Sequence, residues 1–530
     1  MVFDMRMPKS TLDWLMIAIA AIIGALYFSV ALNAITFGDE PYHAYMSRYI
    51  AEKGINPKYR PLYDTDISHY ANSYPMFSIF GAAAFMLGES FFKLLSPTAV
   101  LLSAMLLYML FRRENNKIAG LLSAAFLLMT PIVMTYGIFS YTDALLMFFI
   151  TGFLYFFTGE RTPRNIIVAG IFCAMAALTK ATGLFAIALV CIDTILHKNY
   201  KQFAITMTVF VLLMVPWFIQ SFVNYGSICY DPFIYFTPNC RYISTNTEPA
   251  LDVHFAGRTV EQSTEASVLK MGLLPFGIFV FGIPYLIIVI LALGILVVEP
   301  NKYRWLFLAS FIGFIALLIF AEMPVMHDNV KIAGGRAEDS ARYMIVGMPV
   351  IAMLAGLYLS NAYNYLKKFS RYIPISIIII LIAWLALNAY EKFGSLGSLK
   401  QNNPAFVEAC EWIKSNTPEN SLIYSVYSAR TAYYCERRST RPESIYINNT
   451  RATSGDEEVQ LTLNDTSWKT LKTYGFDYVF VPAYQISRTP YSEFYWFNFV
   501  QYMDGSNHFK KVFDNTDKYG MGGVVIYQVL

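Results

Sequence analysis

The chain has 530 residues, of which 56% are hydrophobic and only 15% charged, with a mean hydropathy of +0.43. Soluble domains carry about 25% charged residues, so this composition does not fit a wholly water-exposed fold. A formal net charge of +3, dispersed along the chain, excludes a nucleic-acid-binding surface as its main business.

A helix crossing a bilayer needs roughly 20 apolar residues, and that ruler predicts about eleven spans. In chain order they lie near 14–35, 95–111, 118–136, 142–158, 165–180, 181–196, 203–221, 273–297, 305–322, 343–363 and 373–390. Arg6 and Lys9 precede the first run, as they would in a secretory signal. The run is long for a signal, however, and Leu32 spoils a small-residue cleavage site, so it reads as a retained span. The stretch 75–88 is apolar but short and carries Gly81 and Gly88; it reads as an interfacial or re-entrant helix.

Basic residues set the orientation. Turns carrying Arg112/Arg113/Lys117, Arg161/Arg164, Lys198/Lys201, Lys302/Arg304 and Lys367/Lys368/Arg371 all fall on one side with the N-terminus. The positive-inside rule makes that side cytoplasmic. Long loops at 36–94, 222–272 and 323–342, and everything after 390, then lie outside. Residues 1–390 thus read as a transmembrane domain and 391–530 as a soluble extracytoplasmic α/β domain. Within the tail, a helix is expected over 404–416, a strand over 422–426, a helix over 468–474 and a strand over 478–481. A closing pair of strands is expected at 511–513 and 524–529. Cys229 with Cys240, and Cys410 with Cys435, form candidate disulfide pairs, since all four fall on the oxidising side; four unpaired thiols are the alternative. Two glycosylation triplets, starting at Asn448 and Asn464, fall there too.

The chemistry-bearing residues gather on the same outer face. Asp39 and Glu40 follow the first span directly, inside Gly38-Asp39-Glu40-Pro41-Tyr42-His43. Asp39 has two readings: an N-cap, with proline near the first helical turn, or a catalytic carboxylate. Asp143 opens the fourth span at its outer end. Lys180 sits between two apolar runs, where it either snorkels to the interface or binds an anion. Arg336, Arg342 and Tyr343 precede the tenth span. Acids and cations at one leaflet suit a lipid-linked anionic substrate, because Lys binds phosphate as a point charge and Arg as a fork. One carboxylate base plus cations is a sufficient kit for inverting glycosyl transfer: the phosphate leaving group needs neutralisation more than protonation.

Phe37-Gly38-Asp39-Glu40-Pro41-Tyr42-His43-Ala44-Tyr45 through Gly54 resembles the first-loop acidic motif of GT-C superfamily glycosyltransferases. The branch most similar is that of protein O-mannosyltransferases and lipid A aminoarabinose transferases. Further matches run in family order: Ser73-Tyr74-Pro75 to Gly88, Tyr141-Thr142-Asp143, Leu178-Thr179-Lys180, and Arg342-Tyr343 with Pro349. Two departures stand out. Ala181 follows Lys180 where the family often has glycine, and no double proline precedes the 75–88 helix. A Trp-Trp-Asp-Tyr-Gly run, expected of an oligosaccharyltransferase, is missing from the sequence.

The resemblance implies a polytopic α-helical GT-C fold with an extracytoplasmic α/β tail, acting as a membrane glycosyltransferase. It implies Asp39 as catalytic base, with Glu40 and Asp143 supporting it. Lys180 and Arg342, with Arg336 and Tyr343, become the candidate ligands of the carrier phosphate, and His43 a candidate substrate contact. The implied partners are a polyprenyl- or dolichyl-phosphate-linked sugar, an acceptor glycan, lipid or protein, and membrane lipid. No cofactor is assigned, and the carboxylates are compatible with a divalent metal. The rival reading is a transporter or lipid-linked sugar flippase, which many spans with embedded charges would also suit.

Overall fold

The computed structural model describes residues 10–32, 40–54, 67–68, 75–225, 243–244, 283–298, 305, 325–327, 330–332, 344–370, 372–399, 404–425, 428–440, 468, 471–472, 475–482, 500, 502–520 and 523–530. Apolar runs punctuated by proline, glycine and charge become helices. They are α1 (Thr11–Leu32), α2 (Glu40–Lys53), α3 (Pro75–Leu87), α4 (Glu89–Arg113), α5 (Lys117–Met129), α6 (Pro131–Ile138), α7 (Thr142–Phe157), α8 (Pro163–Thr179), α9 (Phe185–His197), α10 (Tyr200–Tyr225), α11 (Ile283–Val298), α12 (Met348–Leu366) and α13 (Tyr372–Leu399). Among the described residues, five helices are long and apolar enough to cross a membrane; shorter apolar helices, α3 and α7 to α9 among them, pack beside them. This is a multi-pass membrane protein.

Burial sorts the spans. The span over Met344–Leu366 is 72% buried and α4 is 61% buried, whereas α1 and α10 are each 28% buried and α13 only 17%. The first two form the interior with α5, whose residues Ala119–Met129 are all buried. The exposed apolar faces of the others suit lipid contact, with Ile379, Ile380 and Leu387 on α13 and Leu212 and Val223 on α10 turned outward. Close approach of α12 to α5 depends on Gly356. A Cβ there would collide with Ser123 and with the Ala119 carbonyl, so a small residue lets the two backbones meet.

Two expectations change. The single span expected over 118–136 is two helices, bent by 62° at Thr130. Pro131 lacks an N–H and crowds the residue before it, and Thr130 accordingly takes an extended conformation at ψ 128°. The last membrane helix also continues past 390 to Leu399, because Ala389 and Phe393 still find apolar partners; Phe393 meets Tyr27 edge-on at 5.1 Å. The 75–88 stretch is a short helix, packed on α2 and α4. It ends at Gly88, whose φ of +128° lets the chain turn at once into α4. Of the expected spans 273–297 and 305–322, only α11 and Trp305 fall within the described residues.

Two clusters, not foreseen from the sequence, tie the basic turns together. Asp13 of α1, 3% exposed, accepts from Tyr108, ion-pairs Lys117 at 3.2 Å and lies 3.7 Å from Arg112. Asp193 of α9 meets Arg161 at 3.5 Å, His197 at 2.9 Å and Asn199 at 3.1 Å. A carboxylate in an apolar helix is stable only with such partners.

The tail folds as helix α14 (Pro404–Asn416), strand β1 (Leu422–Ser425), helix α15 (Ser428–Cys435), strands β2 (Arg438–Thr440), β3 (Tyr478–Pro482) and β4 (Phe509–Asp514), the short helix α16 (Thr516–Tyr519) and strand β5 (Val524–Val529). The sheet order is β2-β1-β3-β5-β4, parallel across the first three and antiparallel thereafter. Strand alternation builds two cores: Val479, Val481, Val525 and Tyr527 face one side, and Tyr478, Phe480, Val524 and Ile526 the other, beneath α14. Trp468, Leu471 and Lys472 are helical, as expected of 468–474. Helix α15 and strand β2 were not anticipated. Cys410 of α14 and Cys435 at the end of α15 are joined in a disulfide. Cys229, Cys240, Asn448 and Asn464 lie outside the described residues.

Candidate active site

The geometry begins with helix lengths. Helix α7 has 16 residues and α8 has 17, and the two run antiparallel through a short turn. At 1.5 Å per residue both are about 25 Å long, so the first turn of α7 returns level with the end of α8. Asp143 lies in that first turn and Lys180 caps α8 in an extended conformation, φ −165° and ψ 149°, before a short 3₁₀ turn. Lys180 Nζ meets Asp143 Oδ1 at 2.7 Å. Each charge also sits at the favourable end of its helix dipole, the anion at an N-terminus and the cation at a C-terminus. The Asp143 side chain is 1% exposed and that of Lys180 18%.

A second bond brings in the first loop. Helix α2 begins at Glu40, with Pro41 in its first turn where the missing N–H costs nothing. Glu40 is buried, and its Oε1 accepts from the backbone N–H of Ser140 at 3.0 Å. The Ser140 hydroxyl donates to the Phe92 carbonyl at 3.4 Å, and Ser96 donates to the Tyr141 carbonyl at 3.3 Å. The segment leading into Asp143 is therefore clamped between α4 and the start of α2. His43, one turn along α2, is half-buried, with its ring 5.0 Å from Phe77 and 5.3 Å from Tyr42.

The structure thus gathers Glu40, Asp143 and Lys180 at one end of the bundle. It pairs Lys180 with Asp143, a partnership the sequence did not disclose. Asp39, the residue before Glu40 in the sequence, lies outside the described residues, as do Arg336, Arg342 and Tyr343. The turn Met344–Gly347, which follows Arg342 and Tyr343, is buried and packs against α7. Strand pairing of Ile67–Ser68 with Ile243–Ser244 joins the first long loop to the second. Among the described residues no three His, Cys, Asp or Glu side chains come together as metal ligands.

Comparison with known proteins bears on the fold. Residues 15–228, which include Asp39, Glu40, Asp143 and Lys180, match the family model described as dolichyl-phosphate-mannose-protein mannosyltransferase. Among curated protein sequences none matches the chain. Among solved structures, ArnT from Cupriavidus metallidurans bound to undecaprenyl phosphate superposes with a TM-score of 0.62 at 14% identity, over 98% of each chain. Its apo form gives 0.63 at 16% identity over the same shares. The apo oligosaccharyltransferase of Archaeoglobus fulgidus gives 0.60 at 14% identity, over 88% of this chain and 70% of that one. The fold is that of the GT-C membrane proteins, α/β tail included.

Proposed function

We propose that this protein transfers one sugar, a mannose-like hexose or a pentose, from a polyprenyl- or dolichyl-phosphate carrier to an acceptor hydroxyl at the outer face of the membrane. The acceptor oxygen attacks the anomeric carbon as its bond to phosphate breaks, and configuration inverts. Asp39 takes the acceptor's proton. The carrier leaves as a phosphate monoester, and Lys180 and Arg342 balance the charge that builds on it. Arg336 and Tyr343 support the same headgroup, and His43 contacts the substrate.

The observation that carries this reading is the Glu40–Ser140 bond, 3.0 Å long. It fastens the acidic first loop to the segment entering Asp143, whose carboxylate holds the lysine ammonium at 2.7 Å. A base and a cation brought to one end of a bundle suit a neutral nucleophile and an anionic leaving group. Mass spectrometry of cell-surface glycoconjugates tests it: cells lacking the protein should lose one defined sugar from one class of conjugate. An unchanged glycan profile contradicts the proposal.

The orientation is part of the same reading, with the N-terminus cytoplasmic and the tail outside, because the Asp13 and Asp193 clusters sit with the basic turns at the end opposite Lys180. A reporter that works only in the cytoplasm should stay silent when fused after Leu530. Reporter activity there would invert every loop.

A further inference from the structure

Helix α2 carries the acidic motif at its N-terminus, and a helix of the tail lies along it. Ala432 of α15, 1% exposed, packs against Tyr42 and Tyr45 of α2. Its neighbour Tyr433, 5% exposed, is buried with the apolar core of the membrane helices. Arg48 of α2 bridges Glu52 at 2.8 Å and Glu436, just past α15, at 3.3 Å; Lys414 of α14 holds the same Glu436 at 3.3 Å. The Cys410–Cys435 disulfide fastens the end of α15 to α14. Burial pushes the Glu436 carboxyl up, but Lys414 and Arg48 outweigh it and hold it below the ordinary carboxylate range.

We propose that α15 of the tail is a positioning element for the first-loop acidic motif: its contact with Tyr42 and Tyr45, and the Arg48–Glu436 pair just past it, fix α2 and with it Glu40, the described residue of that motif. The proposal rests on the reading that Asp39 carries the chemistry. Glu40 anchors only the first residue of a 14-residue helix. The contacts of α15, with those of α3, settle the direction of the rest. Displacing a reacting group by about 1 Å can cost about 10²-fold in rate, so a loosened α2 acts on turnover more than on donor affinity. The two ends of the Arg48–Glu436 pair are 40% and 45% exposed, so the pair contributes little and the packing of Ala432 contributes more.

The test uses the full-length protein in detergent, with a polyprenyl-phosphate-linked hexose as donor and release of carrier phosphate as readout. Hydrogen exchange is followed over residues 40–53. Ala432→Arg places a charge under two tyrosines; it should speed exchange in α2 and lower kcat about 10–100-fold, with the donor KM unchanged within about twofold. Arg48→Gln should lower kcat about two- to fivefold, and Arg48→Lys should restore most of it. Unchanged exchange in α2 of Ala432→Arg overturns the proposal, as does faster exchange with normal kcat. Should Ala432→Arg fail to fold, the Arg48 variants decide: equal turnover in wild type, Arg48→Gln and Arg48→Lys overturns it. Exchange reports docking whether or not Asp39 is the base, whereas Asp39→Asn in the same assay reports the chemistry, so the two failures are distinguishable.

Discussion

Asp39→Asn should lower turnover by about 10²–10⁴-fold while thermal stability hardly moves. The substitution keeps the size and most hydrogen bonds of the side chain but removes its capacity to take a proton at neutral pH, and general-base catalysis is worth about that factor. The competing role is architectural. Helix α2 starts at Glu40, and an N-cap role for the preceding residue is what the sequence offers instead. Asparagine caps as well as aspartate, so for a mere cap Asp39→Asn is silent while Asp39→Ala costs about 0.5–2 kcal/mol of stability. Measuring kcat and melting temperature for both variants separates chemistry from architecture, because the two roles predict opposite patterns.

Lys180→Ala should lose both activity and stability, and the reason is Asp143. With its side chain 1% exposed, that carboxylate would lose the ammonium it holds at 2.7 Å. Breaking such a pair costs about 3–5 kcal/mol, whereas replacing both partners with apolar residues of similar volume is close to neutral. Asp143→Leu combined with Lys180→Met should therefore recover most of the stability lost in Lys180→Ala but none of the turnover. Melting temperature and carrier release, measured on the same preparations, decide the point. A double variant that turns over normally would make the pair purely structural and remove Lys180 from the donor site. Lys180→Arg should recover only part of the activity, since a planar fork does not substitute for a compact ammonium held against one carboxylate.

The candidate site was legible because each acid and cation there interrupts an otherwise apolar run. Their pairing was not. Asp143 and Lys180 are 37 positions apart, Glu40 and Ser140 are 100 apart, and only the near-equal lengths of α7 and α8 bring the first two level. Helix α14 and strands β3 and β5 could be read from apolar spacing. Helix α15 could not: Ser428–Cys435 is short, and its apolar residues gain their meaning from α2, nearly 400 positions away. The clusters around Asp13 and Asp193 were missed although their signal was present, since Asp193 stands inside Phe185–His197 and an acid in such a run must have partners. The break at Thr130 had its signal too, in Pro131, but hydropathy alone runs straight through it.

The most direct test of the central claim is transfer by purified protein. Reconstituted in sealed liposomes with a labelled polyprenyl-phosphate-linked sugar and a membrane extract as acceptor source, the protein should release carrier phosphate. It should also place the label on an acceptor hydroxyl with inverted anomeric configuration, and the Asp39→Asn variant should do neither at a comparable rate. Labelled carrier that crosses the bilayer with its sugar still attached, and no labelled acceptor, would make the protein a flippase and contradict the account.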